Sequence, residues 1–528
     1  MNTLTSNPQL EINTIQLKLP LDLGIKINPN DPVVTFKEVM EGVNLNKYLE
    51  KNSSETRGRD GYDPKVLLNI VLFAFMLNIR STRKIEALCR NDIRFMYLSD
   101  EITPSHMTIC NFINEYLIDT IENISNDIVK YIIEKQNIDI STIFIDGTKI
   151  EAFPNKYTWV WKKACITSRD RQFKNISILL NDINNSFLLE PGIFFDVKNS
   201  YNIEELEQYS NYLLKIIEKN NIKFVYGVGK RKNILQKYYE KLNKYINMLK
   251  DYAIKIDKCG ENRNSYSKTD VDATFMRMKT DYMGNTALLP AYNWQLVSSG
   301  EVILYGLTSQ FAADNKCFIP LMEKYKSIFG KYPKTPVADA GYGNLETYNF
   351  CQNNNIEKFM KFSLWEKETH DNKFHNDIFR SVNFKIDAEG HPICPNGKKF
   401  YKLSERYIKG NQDKRTEEKY QCEDCEGCPL RNKCHQSKYN RIISINKTLT
   451  AYHKEVIDNL ASKRGIELRT IRSYMAEGAF GVIKQDYNYR RITRVSLKKV
   501  NLELYLIIIG FNLAKYHNLK YRTNDEIC

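Results

Sequence analysis

Ile143-Phe144-Ile145-Asp146-Gly147 is the first strongly β-like stretch of the 528-residue chain, and it ends in an acid followed by a glycine. A second apolar run, Pro336-Val337-Ala338-Asp339-Ala340-Gly341-Tyr342, has an acid and a glycine at the same end. Open α/β sheets bind their ligands beyond the carboxyl ends of neighbouring strands. We therefore expect Asp146 and Asp339 to lie close together at one edge of a sheet.

The order of the predicted elements favours one fold class. We interpret it as α/β, with a ribonuclease-H-like catalytic core built from a mixed sheet with helices, and with insertions between its parts. The elements after the strand of Asp146 are a hairpin around 299–300, a helix over 315–329, the strand of Asp339, a helix over 345–353 and a strand over 356–362.

A third acid, Glu477, lies in a predicted helix with an apolar face. Basic residues surround it, among them Arg472, Lys484, Arg490 and Arg491. Alone, Glu477 would be interpreted as a salt-bridged surface acid. Together with two aspartates at strand ends, it completes the carboxylate set that a two-metal phosphodiester site needs.

The composition favours a polyanionic partner without requiring one. The net charge is +14 and the isoelectric point is near 9.0, which fits a DNA-binding protein or simply a basic one. We find no leader and no apolar run long enough to span a bilayer, so we expect a cytoplasmic protein without a membrane partner. In that reducing compartment the twelve cysteines are not a disulfide framework.

Composition and pattern divide the chain into seven segments. They are an N-terminal arm (1–58), an all-α helix-turn-helix-like DNA-binding domain (59–137), the first part of the core (138–167), a helical insertion (168–268), the second part of the core (269–363), a cysteine-rich insertion (364–450) and a C-terminal helical part of the core that carries Glu477 (451–520).

Two of these segments carry further predictions. In the helical domain, Asp63-Pro64 opens a helix, and a helix over 106–117 leaves His106 and Asn111 outward as candidate DNA contacts; a plain helical bundle is the alternative. In the helical insertion we expect two antiparallel helices, over 203–218 and 233–256.

Aromatic residues and lysines alternate just before that insertion. Trp159 and Trp161 would share one face of an extended run that continues through Lys162 and Lys163. Interleaved aromatics and lysines suit nucleic-acid contact, but two tryptophans on one strand face equally suit a core.

The cysteine-rich insertion contains a metal-ligand spacing. Two residues lie between Cys422 and Cys425 and two between Cys425 and Cys428; Cys434-His435 follows, with Cys394 upstream. Four of these six side chains would complete a tetrahedral structural Zn²⁺ site, with Cys422, Cys425, Cys428 and Cys434 as the set we predict. Redox thiols and unligated core cysteines are the alternatives.

The chain resembles DDE-type transposases of bacterial insertion sequences, specifically the IS1182 group, from about residue 57 to residue 517. The motifs that carry the resemblance are Phe144-Ile145-Asp146-Gly147-Thr148-Lys149-Ile150-Glu151-Ala152, Asp272-Ala273-Thr274-Phe275-Met276, Ala338-Asp339-Ala340-Gly341-Tyr342-Gly343 and Glu477-Gly478-Ala479-Phe480-Gly481. The cluster from Cys422 to Cys434 is also similar to that of the family.

The resemblance implies that Asp146, Asp339 and Glu477 are catalytic and bind two Mg²⁺ or Mn²⁺ ions. It implies cleavage of double-stranded DNA at the terminal inverted repeats, followed by strand transfer into target DNA. It also implies a homodimer on paired ends and a location at the bacterial nucleoid.

The related IS4 group has a tyrosine seven residues and an arginine four residues before its glutamate, and a lysine seven residues after it. Lys484 matches the lysine, as a phosphate contact or an ordinary surface lysine. Thr470 and Ser473 stand at the other two positions, with Arg472 one place away.

Three other classes of protein fit parts of the pattern. A catalytically inactive or domesticated DNA-binding protein derived from a transposase would keep the same motifs. A stand-alone ribonuclease-H-like nuclease or resolvase would need no helix-turn-helix unit. A zinc-dependent regulator would use only the cysteine cluster. We read the fourth nearby acid, Asp272, as structural or as lying behind the metal ligands.

Overall fold

A computed structural model describes residues 27–49, 62–186, 188–227, 229–278, 286–407 and 416–521, and of Ala476 and Glu477 only the backbone. The sheet has mixed strand directions and helices on both faces, so the α/β class is confirmed. No helix among these residues is apolar over a length that would cross a bilayer.

The N-terminal region is helical and closely packed. Asp63 accepts a hydrogen bond from the backbone of Lys65 at 2.8 Å and caps the second helix, so the predicted Asp63-Pro64 start is confirmed. The helices are α1 (Pro32–Gly42), α2 (Pro64–Met76), α3 (Thr82–Asn91), α4 (Ile93–Ser99), α5 (His106–Asn111) and α6 (Ile121–Gln136).

One expectation for this region was wrong. Residues 32–42 were assigned to the N-terminal arm, but they form α1, in which Val33 and Phe36 are fully buried in the main core. The helix predicted over 106–117 is confirmed, because the chain stays helical after α5 in a π-helical turn over Phe112–Tyr116. Within the predicted arm, residues 1–26 and 50–58 lie outside the described residues.

The central sheet has six strands. The strand β1 (Thr142–Glu151) is central and pairs antiparallel with β5 (Leu288–Ser299) on one side. On its other side it pairs parallel with β7 (Thr335–Gly343), which in turn pairs with β8 (Phe359–Phe362). Along the outer edge of β5 lie β4 (Thr274–Arg277) and β6 (Val302–Ser309).

The helices and strands of the core follow one another along the chain in the predicted order. The hairpin β5–β6 is followed by α10 (Phe318–Phe329), then β7, then α11 (Leu345–Asn353), then β8. A core that includes Ile143, Ile145 and Phe318 covers one face of the sheet.

The helical insertion begins earlier than expected. Two short strands, β2 (Trp159–Trp161) and β3 (Ser265–Ser267), pair at its base, and Lys162 already belongs to a helix. The extended run predicted through Lys163 was therefore wrong, whereas the helices predicted over 203–218 and 233–256 are confirmed as Ile203–Lys219 and Ile234–Cys259. The insertion has three helices around a core of its own: α7 (Lys162–Asn185), α8 (Ile203–Lys219) and α9 (Ile234–Cys259).

The cysteine-rich insertion forms small sheets with short helices. Its elements are α12 (Trp365–His370), α13 (Asn372–His375), β9 (Lys385–Ile386), β10 (Pro392–Ile393), β11 (Phe400–Tyr407), β12 (Thr416–Cys422), α14 (Arg431–Cys434) and β13 (Ile442–Ile445).

Three helices close the fold: α15 (Lys447–Ala461), α16 (Lys463–Gly481) and α17 (Leu497–Tyr521). The helices predicted for 451–520 are confirmed, and the last of them, α17, packs on α2, α6 and β6. Asn512 of α17 is buried and bonds both backbone groups of Ile303, at 2.9 and 2.7 Å. These bonds occupy part of the outer edge of β6, which would otherwise present unpaired backbone groups.

Candidate active site

Asp146 lies inside β1, not at its end. The parallel pairing of β1 with β7 covers only Thr142–Phe144, whereas the antiparallel pairing with β5 continues to Glu151. Asp146 therefore stands just past the point where β1 and β7 separate. Such a separation between parallel strands is where α/β sheets open a crevice for ligands.

Asp339 stands at the same opening, on β7. The ladder between β7 and β8 shifts between Ala338 and Gly343, so the acid lies in an irregular stretch. The backbone N–H of Gly341 donates to Oδ1 of Asp339 at 2.8 Å. This bond fixes one carboxylate oxygen against the turn that follows.

Arg472 of α16 joins the two acids. One of its guanidinium nitrogens, Nη2, is 3.2 Å from Oδ1 of Asp146 and 3.8 Å from Oδ2 of Asp339. Those two oxygens are therefore at most about 7.0 Å apart, the sum of the two distances. Two acids that are remote in sequence thus share one cation.

Packing explains why α16 reaches this place. Leu468 of α16 lies in one apolar cluster with Phe144 and Val337, which precede Asp146 and Asp339 by two residues. Side chains two apart on a strand point to the same face. The strand face that binds α16 is therefore the face that carries Asp146.

Glu477 lies on the same helix as Arg472. It is five residues further along, which is about 7.5 Å along the helix axis. Its side chain is outside the described residues. The structure thus brings Asp146, Asp339 and Arg472 together and places the backbone of Glu477 on the helix that packs against both strands.

Lys484 follows this helix in a π-helical turn over Val482–Asp486. Its ammonium group donates to Oγ1 of Thr148, two residues beyond Asp146 on β1, and lies 3.5 Å from the carbonyl of Lys149. π-Helical turns of this kind often occur at functional sites. Lys484 is therefore held beside the acid-bearing strand.

A cleft of about 670 Å³ opens beside Arg472. Nε of Arg469 and Nε of Arg472 are buried and have no hydrogen-bond partner among the described residues. Tyr474, at the mouth, is 75% exposed. The residues that line the cleft are Ala338, Lys361, Leu460, Ile466, Arg469, Thr470, Arg472, Ser473, Tyr474 and Gly478.

The other predicted basic contacts lie near the far end of β1 or on the N-terminal helices. Arg491 donates to the carbonyl of Phe153 at 2.6 Å, and its neighbour Arg490 is exposed. His106 of α5 is 2.8 Å from a carboxylate oxygen of Glu86, and Asn111 is exposed on the same helix. His106 and Asn111 belong to the helical region, not to the sheet.

The acid Asp272 has a structural position. Its carboxylate accepts a hydrogen bond at 2.8 Å from the backbone N–H of Leu497, the first residue of α17. Negative charge at a helix N-terminus is stabilising. This contact agrees with the structural reading of Asp272.

Sequence reasoning missed Asp314, which lies beside Asp339. It sits in a loop without periodic pattern, in the short 3-10 turn Asp314–Lys316. The one usable signal was on β5, where the polar residues Asn293 and Gln295 interrupt a mostly apolar strand and are almost fully buried. Buried amides need partners, and both of these bind Asp314.

The cysteine cluster converges on one small cavity of about 20 Å³. Its lining includes all six candidate side chains: Cys394, Cys422, Cys425, Cys428, Cys434 and His435. Burial raises the pKa of Cys422 to about 12, and burial also lowers the pKa of His435. Both groups are therefore neutral at pH 7.

In the part of the chain that the structure describes, no three ligand atoms of the cysteine cluster all lie within 4.8 Å of one another. Among the described residues, the only three candidate ligands whose ligand atoms all lie within 4.8 Å of one another are Asp387, Glu389 and His391. Lys399 pairs with Asp387 at 3.0 Å and with Glu389 at 3.7 Å, so a cation already balances that group.

Family comparisons match two parts of the chain. A family described as transposase DDE domain matches residues 393–517, and a family described as transposase domain (DUF772) matches residues 21–115. The first includes Glu477, and neither includes Asp146 or Asp339. No curated protein and no solved structure matches the chain.

Together the two matches support a DDE-type insertion-sequence transposase, and such families are DNA-processing enzymes. The second match crosses the predicted boundary at residue 58 and joins α1 to the helices that follow it.

Proposed function

We propose that the chain is a DDE transposase of the IS1182 group. It binds the terminal inverted repeats of its insertion sequence and catalyses divalent-metal-dependent DNA cleavage and strand transfer. The observation that supports this most is the shared guanidinium: Arg472 lies within 4 Å of both Asp146 and Asp339. Carboxylates that converge from separate strands are suited to hold cations.

The donor set fits Mg²⁺ or Mn²⁺. Asp146, Asp339 and Glu477 offer only carboxylate oxygens, the ligand type that these ions prefer. When bound, two such ions activate the attacking hydroxyl group and stabilise the leaving oxygen in phosphodiester chemistry. The chain's own part is to hold these three carboxylates at one opening of the sheet.

DNA would lie along the cleft and past the end of β1. Arg472 and Arg469 present guanidinium groups to the cleft, and Lys484 is held on β1 beside the acids. Arg490 and Arg491 continue the positive surface. Phosphate contacts of this kind position DNA without reading its sequence.

Sequence recognition would belong to the N-terminal helices. We propose that the region 59–137 works as a helix-turn-helix-like unit, in which His106 and Asn111 of α5 contact DNA. The match of residues 21–115 to a transposase family supports this role. The interpretation of 138–167 and 269–363 as two parts of a ribonuclease-H-like core is supported by the strand order β6–β5–β1–β7–β8.

A homodimer on paired element ends, in the bacterial cytoplasm at the nucleoid, would follow from this function.

The test is cleavage of DNA that carries the ends of the surrounding element. Asp339→Asn removes a carboxylate charge but keeps the side-chain shape. We expect it to abolish Mg²⁺-dependent cleavage while binding to the same DNA, measured by gel shift, persists. The control is Asp196→Asn, because that carboxylate is 73% exposed and lies in the helical insertion.

Unchanged cleavage by Asp339→Asn would overturn the assignment. A wild-type chain that binds the ends but cleaves them with neither Mg²⁺ nor Mn²⁺ would favour the inactive, transposase-derived DNA-binding protein.

We also propose that the cysteine cluster holds a structural Zn²⁺, with Cys422, Cys425, Cys428 and Cys434 as ligands and Cys394 and His435 as the remaining candidates. This proposal is supported by the cavity that all six side chains line. The cavity has room for one ion, but the thiols would have to move closer together to bind it. Metal analysis of the purified chain should find about one zinc per chain, and Cys425→Ser should lower this content. Zinc-free protein of unchanged stability would refute the proposal.

A further inference from the structure

Asp314 is held in a fixed orientation by two buried amides. Its Oδ1 accepts hydrogen bonds from Asn293 and from Gln295, each at 2.7 Å. Asn293 is 1% exposed and Gln295 is fully buried. Gln295 in turn accepts a hydrogen bond from the hydroxyl of Tyr342, which is also fully buried. Both amides bind Oδ1 of Asp314, and neither binds Oδ2, the second carboxylate oxygen.

Asp314 and its amide partner Gln295 approach the glycines of both acid motifs. A Cβ atom on Gly147, next to Asp146, would lie 2.3 Å from Nε2 of Gln295 and 2.8 Å from Oδ1 of Asp314. A Cβ atom on Gly341, two residues after Asp339, would lie 3.1 Å from Oδ1 of Asp339 and 3.2 Å from Oδ2 of Asp314. In a closely packed interior, such contacts would force neighbouring atoms to shift. The carboxylate of Asp314 is therefore one of the groups that approach the backbone at both glycines.

Asp314 is also near Asp339. The same Cβ position on Gly341 would be 3.1 Å from Oδ1 of Asp339 and 3.2 Å from Oδ2 of Asp314, so the two oxygens are at most about 6.3 Å apart, the sum of those distances. Burial raises the pKa of Tyr342, and the charges of Asp314, Asp146 and Asp339 raise it further. The Tyr342 hydroxyl group therefore lies near enough to Asp314, Asp146 and Asp339 for the charge of each to affect it.

We propose that Asp314 is a positioning residue of the candidate site: held by Asn293 and Gln295, it fixes the Asp339 turn and adds a negative charge that attracts the divalent ions. This proposal rests on the proposed function, since it assumes ions at Asp146 and Asp339. For a divalent ion about 6 Å from the Asp314 carboxylate, this one charge changes the ion affinity about tenfold even at the dielectric constant of bulk water.

The test is titration of the metal-free full-length chain with Mn²⁺, followed by electron paramagnetic resonance. Asp314→Asn keeps an oxygen for both amides and removes only the charge. We expect it to need about tenfold more Mn²⁺ for half-saturation, with an unchanged or higher melting temperature in the absence of metal. Asp196→Asn, which removes an exposed charge elsewhere, serves as the matched control.

Asp314→Glu separates charge from shape. It keeps the charge but is one methylene longer against Gly147 and Gly341. If charge matters, it binds Mn²⁺ better than Asp314→Asn, even where its melting temperature is lower. If the role is only structural, Asp314→Glu is the worse variant in both measurements, and the proposal is overturned. Should Asp314→Asn not fold, Asp314→Glu is judged against the wild type by the same titration.

Two outcomes distinguish this proposal from the proposed function. If Asp339→Asn abolishes Mn²⁺ binding and Asp314→Asn binds like the wild type, only the role of Asp314 fails. If the wild type shows no Mn²⁺ binding that depends on Asp339, the proposed function and the role of Asp314 fail together.

Discussion

At the scale of single residues, Arg472 and the proposed divalent ions compete for the same carboxylates. The guanidinium is 80% buried and lies 3.2 Å from Asp146. It supplies the positive charge that the two acids need when no ion is bound. Ions at these acids would repel it, and the adjoining cleft gives it a place to contact a DNA phosphate.

Arg472→Ala should therefore strengthen Mn²⁺ binding and weaken DNA binding. A partly exposed ion pair is worth up to ~1 kcal/mol, which corresponds to about a fivefold change in affinity. Calorimetric titration with Mn²⁺ and gel shifts with end DNA measure the two effects.

The control for Arg472→Ala is Arg464→Ala on the same helix, because Arg464 pairs with Glu357 at 2.9 Å and not with the two acids. It should leave Mn²⁺ affinity unchanged. Weaker Mn²⁺ binding by Arg472→Ala would show that the guanidinium supports the ion site instead of competing with it.

At the scale of elements, the contact between α17 and α2 depends on one glycine. A Cβ atom on Gly510 would lie 2.4 Å from the backbone carbonyl oxygen of Phe75. The two helices are therefore closer than any side chain at position 510 allows. Backbone atoms cannot rotate away as a side chain can.

Gly510→Ala should destabilise the fold by about 1–3 kcal/mol, because overpacking forces the helices apart. Denaturant unfolding followed by circular dichroism measures the change. Gly481→Ala is the control, since a Cβ there meets no atom within 4 Å; it should be neutral or stabilising by up to ~1 kcal/mol. Equal effects of the two substitutions would contradict the close approach of α17 and α2.

Elements with strong local signals were predictable from the sequence. Asp63-Pro64 marks the start of α2, and the apolar run of α17 marks that helix. The start of α7 was missed because Trp161 precedes it without a side-chain cap and the Trp159–Trp161 alternation resembles a strand. The helix over 106–117 was predictable too, but the change from an α-helix to a π-helical turn after Asn111 was not, because the apolar residues continue through both.

At the scale of the whole molecule, the helical insertion is a separate unit on a narrow base. Its three helices share their own core. Its two ends meet where β2 pairs with β3. There the backbone N–H of Lys162 donates a hydrogen bond to the backbone carbonyl of Asn264 at 2.9 Å. A segment with adjacent ends and its own core can be removed at small cost to the rest.

Replacing residues 168–256 by a short Gly-Ser linker should therefore leave the sheet folded and Mn²⁺ affinity unchanged. Thermal unfolding and Mn²⁺ titration check both points, and the wild-type chain is the reference. A shortened chain that aggregates or no longer binds Mn²⁺ would show that the insertion stabilises the core. A loss of DNA affinity alone would identify it as a DNA clamp.

The candidate site was only partly predictable at this scale. Asp146 and Asp339 follow from apolar runs that carry acids at the same end. Asp314 does not follow, because its partners on β5 and β7 are brought to it only by the assembled sheet. The N-terminal helices were expected to form a separate domain, but they share one core with α17 and β5, which only long-range packing reveals.

The central claim is that Asp146, Asp339 and Glu477 hold divalent ions together. Crystals of the full-length chain grown with Mn²⁺ test it directly through anomalous diffraction at the manganese edge. We predict anomalous peaks at the opening between β1 and β7, bonded to Asp146 and Asp339 and reached by Glu477. Anomalous density only elsewhere, with Arg472 still between the two aspartates, would contradict the claim.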